Sequence, residues 1–205
     1  MTGILTGFLA GKRTGTATIE AKLAQQLAFV EQEPLYGIYL DLKKAYDAMD
    51  RDRCVLILEA YGVGPNMLQL IQFFWDNAEL VCRAQGRFGE PFKAKRGVTQ
   101  GGPVSPKIFN VMVDAIVREW MRQVVGDEAA SEGLKDAIRI LLAIFYADDG
   151  YIASRSKQQL QDALEILVDL FERVGLRTNT KKTKGMTCVP GKIRTPPVRG
   201  GLQQQ

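Results

Sequence analysis

The sequence contains no histidine among its 205 residues. This absence excludes Ser-His-Asp hydrolysis, Cys-His proteolysis, histidine-ligated zinc and any histidine general base. The three cysteines, Cys54, Cys82 and Cys188, are too far apart for a disulfide framework or a Cys-x-x-Cys zinc site, so we expect reduced, mostly buried thiols. No apolar run approaches the roughly 20 residues of a bilayer span, and the N-terminus lacks the features of a signal peptide. We therefore expect an intracellular protein with no membrane partner, whose chemistry depends on carboxylates, lysines, hydroxyls or a metal ion.

Basic residues are concentrated at one end of the chain. Residues 173–205 contain eight Lys and Arg side chains and no acid, whereas residues 1–172 contain 19 basic and 23 acidic side chains. A basic segment of this kind suits a polyanionic partner. On charge alone a solvated, disordered tail is the simpler interpretation, and residues 191–205 are predicted to form such a tail.

The spacing of apolar residues predicts an α+β fold. Residues 16–32 form a predicted helix that buries Ile19, Leu23, Leu27 and Val30 on one face. Further helices are predicted over residues 51–61 and 65–77. Another helix begins at residue 105 with an apolar stripe that includes Phe109, Met112 and Trp120, and one capped by Ser156 follows that residue. Strands are predicted over 35–40, 137–146, 150–154 and 185–189, and a hairpin over 79–98. This order predicts one domain in which an antiparallel sheet carries helices packed on one face.

Acidic residues follow two of the predicted strands. Asp41 ends the strand at 35–40, and Asp148 and Asp149 form the turn after an apolar strand. Adjacent carboxylates repel, and a multivalent cation relieves that repulsion, although an ordinary surface turn explains the pair alone. In an antiparallel sheet the two strand ends can lie side by side. Asp41 and Asp148 would then reach two Mg²⁺ ions ~3.5–4 Å apart, the arrangement that enzymes use for phosphoryl transfer.

Four segments complete this pattern. They are residues 41–47 (DLKKAYD), 96–106 (RGVTQGGPVSP), 146–149 (YADD) and 175–184 (GLRTNTKKTK). Together they resemble the palm motifs of reverse transcriptases, in particular the group II intron and non-LTR type. The resemblance implies a polymerase palm over residues 35–190, with an antiparallel sheet backed by helices and fingers-like helices inserted at about 51–98. It also implies a partial fingers segment over residues 1–34 and no thumb.

The resemblance assigns the metal site and the sugar pocket. Asp41, Asp148 and Asp149, with the Leu42 carbonyl as an extra oxygen ligand, would hold two Mg²⁺ ions, or Mn²⁺ in their place. The ring of Tyr46 would fill the space that a ribose 2′-hydroxyl needs and so favour deoxynucleotides. A tyrosine of the hydrophobic core is the alternative interpretation of Tyr46.

Two further motifs would contact the nucleic acid. The Gln100 amide would hydrogen-bond the incoming nucleotide or the template, and Gly101 would let the backbone approach closely. A loop before a well-capped helix is the simpler explanation of both residues. Tyr146 would pack under the primer terminus, or serve only as a buried strand tyrosine.

Basic side chains would contact the triphosphate. By resemblance Lys182 protonates or stabilises the leaving pyrophosphate, and solvated surface charge is the alternative. Residues 7–14 (GFLAGKRT) resemble a fingers motif in which Lys12 or Arg13 would reach the phosphate oxygens, although Leu9 stands where the family often has arginine. By itself, this glycine-rich segment is equally explained as a flexible N-terminus.

The resemblance therefore implies an RNA-directed DNA polymerase that uses an RNA template, a nucleic-acid primer and deoxynucleoside triphosphates. Without a thumb, a partner chain or an oligomer is expected to supply the missing fingers or thumb. A catalytically idle palm that binds RNA or protein, or one part of a split or truncated polymerase, is the alternative. An RNA-templated RNA polymerase would share the metal geometry, but Tyr46 and the Tyr-Ala-Asp-Asp turn argue against it.

Overall fold

The computed structural model describes residues 14–98, 102, 104–125, 141–146, 148–189 and 192–194. Its elements, in chain order, are α1 (Thr14–Val30), β1 (Leu35–Asp41), α2 (Ala45–Ala48), α3 (Arg51–Ala60), α4 (Pro65–Asn77), β2 (Glu79–Leu80), β3 (Arg83–Ala84), β4 (Arg87–Phe88), β5 (Phe92–Lys93), α5 (Ser105–Val125), β6 (Leu142–Tyr146), β7 (Asp149–Ser154), α6 (Lys157–Arg173), β8 (Lys184–Val189) and β9 (Lys192–Arg194). Five strands form one antiparallel sheet in the order β6-β7-β1-β8-β9. The predicted α+β organisation is confirmed. None of the helices in these ranges is long and apolar enough to cross a bilayer.

The long helices α5 and α6 cover one face of the sheet. The predicted apolar stripe of α5 is confirmed, because Phe109, Met112 and Trp120 are fully buried in the main core. The Trp120 indole nitrogen donates a hydrogen bond of 2.6 Å to the Ala163 carbonyl of α6, which satisfies the one polar atom of that side chain. The Ser156 hydroxyl accepts from the Gln159 amide and caps α6, as the sequence predicted.

The opposite face of the sheet is also partly covered, by α1. Along β6, Ala143 and Phe145 join the core under α5 and α6, whereas Leu142 and Ile144 pack with α1. This alternation follows from the two-residue period of a strand. The prediction of helices on one face was therefore incomplete. The apolar residues of β6 form a continuous run because both faces of the strand are buried.

The buried face of α1 differs from the predicted one. Ile19, Leu23 and Val30 are exposed, and Val30 keeps 75% of its surface accessible. The predicted Leu27 is half-buried against the sheet, but the helix buries mainly its alanines at positions 21, 24 and 28, which pack on Leu35 and other residues of the sheet. Small side chains let the helix axis approach the sheet closely, and a search for large apolar residues overlooks that kind of face.

Residues 79–98 form two short ladders rather than one continuous hairpin. Strand β2 pairs with β5, and β3 pairs with β4 inside it. Because each strand contains only two residues, most backbone groups of this segment lie outside a ladder. The antiparallel pairing that the sequence predicted is thus confirmed, but the paired strands are shorter than predicted.

The last strand corrects the prediction of a disordered tail beyond residue 190. Residues Lys192–Arg194 form β9, which pairs antiparallel with β8 and places Ile193 opposite Cys188. A backbone ladder depends on an open strand edge rather than on composition, so the basic, proline-rich sequence did not predict this strand.

The thiols also differ from expectation, since Cys82 is exposed while Cys54 is buried and Cys188 half-buried. Burial, with a smaller effect of Asp50, raises the pKa of Cys54 to about 12.

Candidate active site

The acidic residues of two distant segments meet at one end of the sheet. Strands β1 and β7 pair antiparallel with Asp41 directly opposite Asp149, and Asp148 precedes Asp149 in the turn from β6. Residues that face each other in such a ladder have Cα atoms about 4.5–5.5 Å apart and side chains on the same face. The sequence prediction that the two strand ends lie side by side is confirmed.

These carboxylates lie on an open part of the sheet surface. Asp41 shares a face with Leu35 and Tyr39, because residues two apart along a strand point the same way. Among the described residues, helix α1 covers this face from Leu35 as far as Tyr151, the cross-strand partner of Tyr39. At the aspartate end Tyr39 remains 42% exposed. A substrate can therefore approach the carboxylates from this side.

Negative charge is concentrated at this edge. Partial burial raises the pKa of Asp149, and the neighbouring charges of Asp148 and Asp41 raise it further, against a smaller opposing effect of Lys182. The fold thus holds three carboxylates where they repel one another. Such repulsion is typical of sites that bind a cation or handle protons.

Asp41 is held by the segment that precedes β8. The Asn179 side-chain amide donates to Asp41 Oδ2 at 2.9 Å, and the Asn179 backbone amide donates to the Asp41 carbonyl at 2.7 Å. The Lys182 ammonium lies 3.3 Å from Asp41 Oδ1, and because 69% of the lysine side chain is exposed this ion pair adds little stability. Sequence reasoning placed Lys182 at the site but gave Asn179 no role, although Asn179 stands in the same motif.

Two more backbone contacts fix this segment beside β1. The Lys43 amide donates to the Arg177 carbonyl at 2.8 Å, and Leu42 forms a bridge with Thr178. Neither hydrogen bond of this bridge uses the Leu42 carbonyl. The predicted metal-ligand role of the Leu42 carbonyl stays a prediction.

Tyr46 lies next to the acidic cluster on the short helix α2. Its half-buried ring stacks on Phe109 of α5 with centroids 4.7 Å apart and planes at 20°. Burial raises the pKa of Tyr46, and the charge of Asp148 raises it further. Tyr46 therefore packs against the core and also borders the site, so both of its predicted interpretations agree with this position.

Comparison with known proteins identifies the family. A family model described as reverse transcriptase (RNA-dependent DNA polymerase) matches residues 3–200. This chain belongs to the reverse transcriptase family. The Pol polyprotein of the type-2 retrotransposable element R2DM of Drosophila melanogaster is 29% identical over 72% of the chain and 13% of its own length. The Pol polyprotein of an R2 element of Nasonia vitripennis is 26% identical over 88% of the chain and 17% of its own length.

Solved structures show the same fold. The structure of telomerase from Candida tropicalis with a fragment of telomeric RNA matches with a TM-score of 0.69 and 13% identity, over 97% of this chain and 35% of that one. A second telomerase structure from that organism, in its apo form, matches with a TM-score of 0.65 and 17% identity, over 92% of this chain and 37% of that one. At such identities the likeness establishes the fold, an α+β polymerase palm.

The palm carboxylates are suitable donors for a divalent cation, although they are not yet gathered around one. Among the residues the structure describes, no three Cys, Asp or Glu side chains lie close enough to ligate a common ion. Asn179 and Lys182 contact the two carboxylate oxygens of Asp41. The donors are hard oxygens, which Mg²⁺ prefers. Asp41 and Asp149 are cross-strand neighbours, so their side chains start from adjacent positions on one face of the sheet.

The reverse transcriptase motif at residues 96–106 begins with a segment that is hydrogen-bonded to the backbone around Tyr46. The Gly97 amide donates to the Met49 carbonyl and the Val98 amide to the Tyr46 carbonyl, both at 2.8 Å. Gly97 has a φ of +79°, and a Cβ atom there would lie 2.5 Å from the Tyr46 carbonyl oxygen. Only glycine allows this close approach beside the residue proposed to contact the sugar.

The predicted roles of several site residues of this reverse transcriptase stay predictions. Lys12, Arg13, Gln100 and Gly101 lie outside the described residues. Tyr146 pairs through its backbone with Asp149, and its predicted contact with the primer terminus also stays a prediction.

Replacing Gly97 by alanine tests the close packing of residues 97 and 98 against the backbone of Tyr46 and Met49. Gly62 is the matched control, because it has a φ of +83° and open space around a Cβ. We expect Gly62→Ala to lower the free energy of unfolding by about 1–2 kcal/mol through backbone strain alone. Gly97→Ala should cost about 1–3 kcal/mol more, since its Cβ also collides with backbone. Urea denaturation measures both, and equal losses would contradict the close packing at Gly97.

Proposed function

We propose that this chain is the catalytic palm of an RNA-directed DNA polymerase, which transfers deoxynucleotides to a primer 3′-hydroxyl. The observation that carries the proposal is the register of β1 and β7. It brings Asp41 opposite Asp149 and beside Asp148, although about 100 residues separate the segments along the chain. Family membership makes nucleotidyl transfer the chemistry expected of this carboxylate cluster.

Asp41, Asp148 and Asp149, with the Leu42 carbonyl, would hold two Mg²⁺ ions, or Mn²⁺. Such a pair activates a hydroxyl nucleophile and stabilises negative charge on the leaving group. The protein supplies oxygen ligands from two neighbouring strand ends, which fixes their spacing through the backbone. Burial is the main cause of the raised pKa of Asp149, and repulsion by Asp148 and Asp41, which a divalent cation would relieve, adds to it.

Lys182 would act on the leaving pyrophosphate. Its ammonium reaches Asp41 from an exposed turn, so it can move from the carboxylate to a phosphate oxygen without leaving the site. From that position it would donate a proton or a hydrogen bond to the departing oxygen. Lys181 and Lys184 are exposed beside it and add positive charge for phosphate contacts.

RNA template, nucleic-acid primer and deoxynucleoside triphosphates are the proposed substrates. The relatives are Pol polyproteins of retrotransposable elements, and the chain spans only 13% and 17% of the two described above. A partner chain or further domains would therefore supply the grip on the duplex. The exposed lysines near the carboxylates suit the phosphate backbone.

Primer extension tests the proposal directly. The purified chain should extend a DNA primer on an RNA template in the presence of Mg²⁺ and deoxynucleotides. Asp148→Asn should reduce the rate by at least about 100-fold, because losing a metal ligand should cost more than losing a supporting group, which typically costs 10–100-fold. Gel analysis of the extended primer measures the rate.

Asp162→Asn provides the control for the extension test. It makes the same charge change at an exposed position of α6, the helix that packs on the face of the sheet opposite to Asp41 and Asp149, and should leave the rate unchanged. A chain that binds the primed template but does not extend it would favour the alternative of a palm that serves as a binding module. Equal rates for Asp148→Asn and its control would contradict the proposed catalytic site.

Tyr46 should decide the choice of sugar. Tyr46→Ala removes the ring that stacks on Phe109 and should lower the preference for deoxynucleotides over ribonucleotides by about 10- to 100-fold, the range that a pocket of fixed size achieves for one added group. Tyr46→Phe keeps the ring and should retain the preference. The ratio of kcat/KM for the two nucleotides measures the effect, and an unchanged ratio in Tyr46→Ala would contradict the steric role.

A further inference from the structure

Arg51, the first residue of α3, joins three parts of the chain. Its Nε donates to the Gly97 carbonyl at 2.9 Å, and its Nη1 donates to the Trp75 carbonyl at 3.1 Å. Its guanidinium also lies over the Trp75 ring, 5.5 Å from the centroid. Partial burial lowers the pKa of Arg51 from its usual value, against the effect of Asp76. A surface arginine placed there only for solubility would not be buried with two backbone carbonyls as acceptors.

One of these acceptors belongs to the end of α4. The last carbonyls of a helix have no partner within the helix and carry partial negative charge. Arg51 satisfies the Trp75 carbonyl in the last turn of α4 (Pro65–Asn77). The end of α4 therefore holds the Arg51 guanidinium in place. Because the guanidinium is planar and rigid, its Nε is then directed at the Gly97 carbonyl.

The other acceptor belongs to the segment that contacts Tyr46. Gly97 and Val98 donate their amides to the Met49 and Tyr46 carbonyls, so the Arg51 bond to the Gly97 carbonyl fixes the same peptide from the far side. Helix α2, which carries Tyr46, has only four residues and cannot hold its position unaided. A cavity of about 410 Å³ opens beside Arg51 and Gly97, so the segment has space to shift once the guanidinium is removed.

We infer that Arg51 is a positioning residue for sugar discrimination, which holds Gly97 and Val98 against the backbone of Tyr46 and so fixes the ring at the nucleotide pocket. The inference rests on the proposed polymerase function and on the sugar-contact role of Tyr46. Arg51 itself contacts the peptide, not the nucleotide. Its loss should loosen the pocket while leaving the carboxylates of β1 and β7 in register.

Arg51→Met tests this role, with Arg53→Met as the matched control because Arg53 is exposed on the same helix. In Arg51→Met we expect the deoxynucleotide over ribonucleotide ratio of kcat/KM to fall about 10-fold and the deoxynucleotide KM to rise by a similar factor, the low end of what losing a supporting group costs. Its kcat should stay within about 3-fold of the parent, because the metal ligands do not depend on Gly97. Arg51→Lys keeps one hydrogen-bond donor, so its nucleotide ratio and its deoxynucleotide KM should lie between those of the parent and of Arg51→Met.

A purely structural role predicts a different result. Arg51→Met would then lower the melting temperature while its nucleotide ratio matched that of Arg53→Met, and this outcome would overturn the inference. If Arg51→Met does not fold, Arg51→Lys provides the test. A deoxynucleotide over ribonucleotide ratio equal to the parent's, together with an unchanged deoxynucleotide KM, would overturn the inference as well.

Hydrogen exchange separates this inference from the polymerase proposal. The amides of Gly97 and Val98 should exchange about 10-fold faster in Arg51→Met than in Arg53→Met, because the Gly97 carbonyl is no longer held and the segment can leave its acceptors at Met49 and Tyr46. Equal exchange would overturn the positioning role whether or not the chain extends primers. Faster exchange in Arg51→Met, found together with a parent chain that does not extend primers, would leave the positioning role intact and refute the proposed function instead.

Discussion

The pairing of β1 with β7 is the constraint on which the site depends. It sets Asp41 opposite Asp149, and a shift of one residue would turn one of these carboxylates toward the buried face under α5 and α6. The buried residues of both strands prevent that slip, because each strand has apolar side chains on the core face. The core therefore maintains a concentration of negative charge that would otherwise drive the strand ends apart. Stability in the core and repulsion at the edge are consequences of the same register.

The segments around this edge are fixed by backbone contacts rather than by large apolar surfaces. Asn179 holds Asp41 from one side through its amide groups, and the Gly97 and Val98 amides hold the turn that carries Tyr46. Hydrogen bonds of this kind constrain direction as well as distance. Separate segments therefore hold Asp41 and the Tyr46 ring: residues around Asn179 hold the first, and Gly97 and Val98 hold the second. Their effects on catalysis and on nucleotide choice should be separable for that reason.

The sequence predicted the parts of the fold that depend on periodicity and on local motifs. The stripe of α5, the cap of α6 and the strand that ends at Asp41 were all predicted because each is encoded by neighbouring residues. The alanine face of α1 and the pairing of β9 were missed, since they depend on how closely elements approach and on which strand edge is open. Arg51 and Asn179 were missed as well. Their partners are distant carbonyl and carboxylate groups, and only the folded chain brings those groups within reach.

The proposed cation site of the three aspartates is tested most directly by thermal unfolding of the parent chain and of Asp149→Asn, each with and without Mn²⁺. Without metal the variant should be the more stable, because the neutral amide no longer experiences the repulsion of Asp148 and Asp41. Mn²⁺ should raise the melting temperature of the parent and leave that of the variant nearly unchanged, since a ligand stabilises only the state that binds it. An equal response of both proteins to Mn²⁺, or none in either, would contradict a cation site built from these carboxylates.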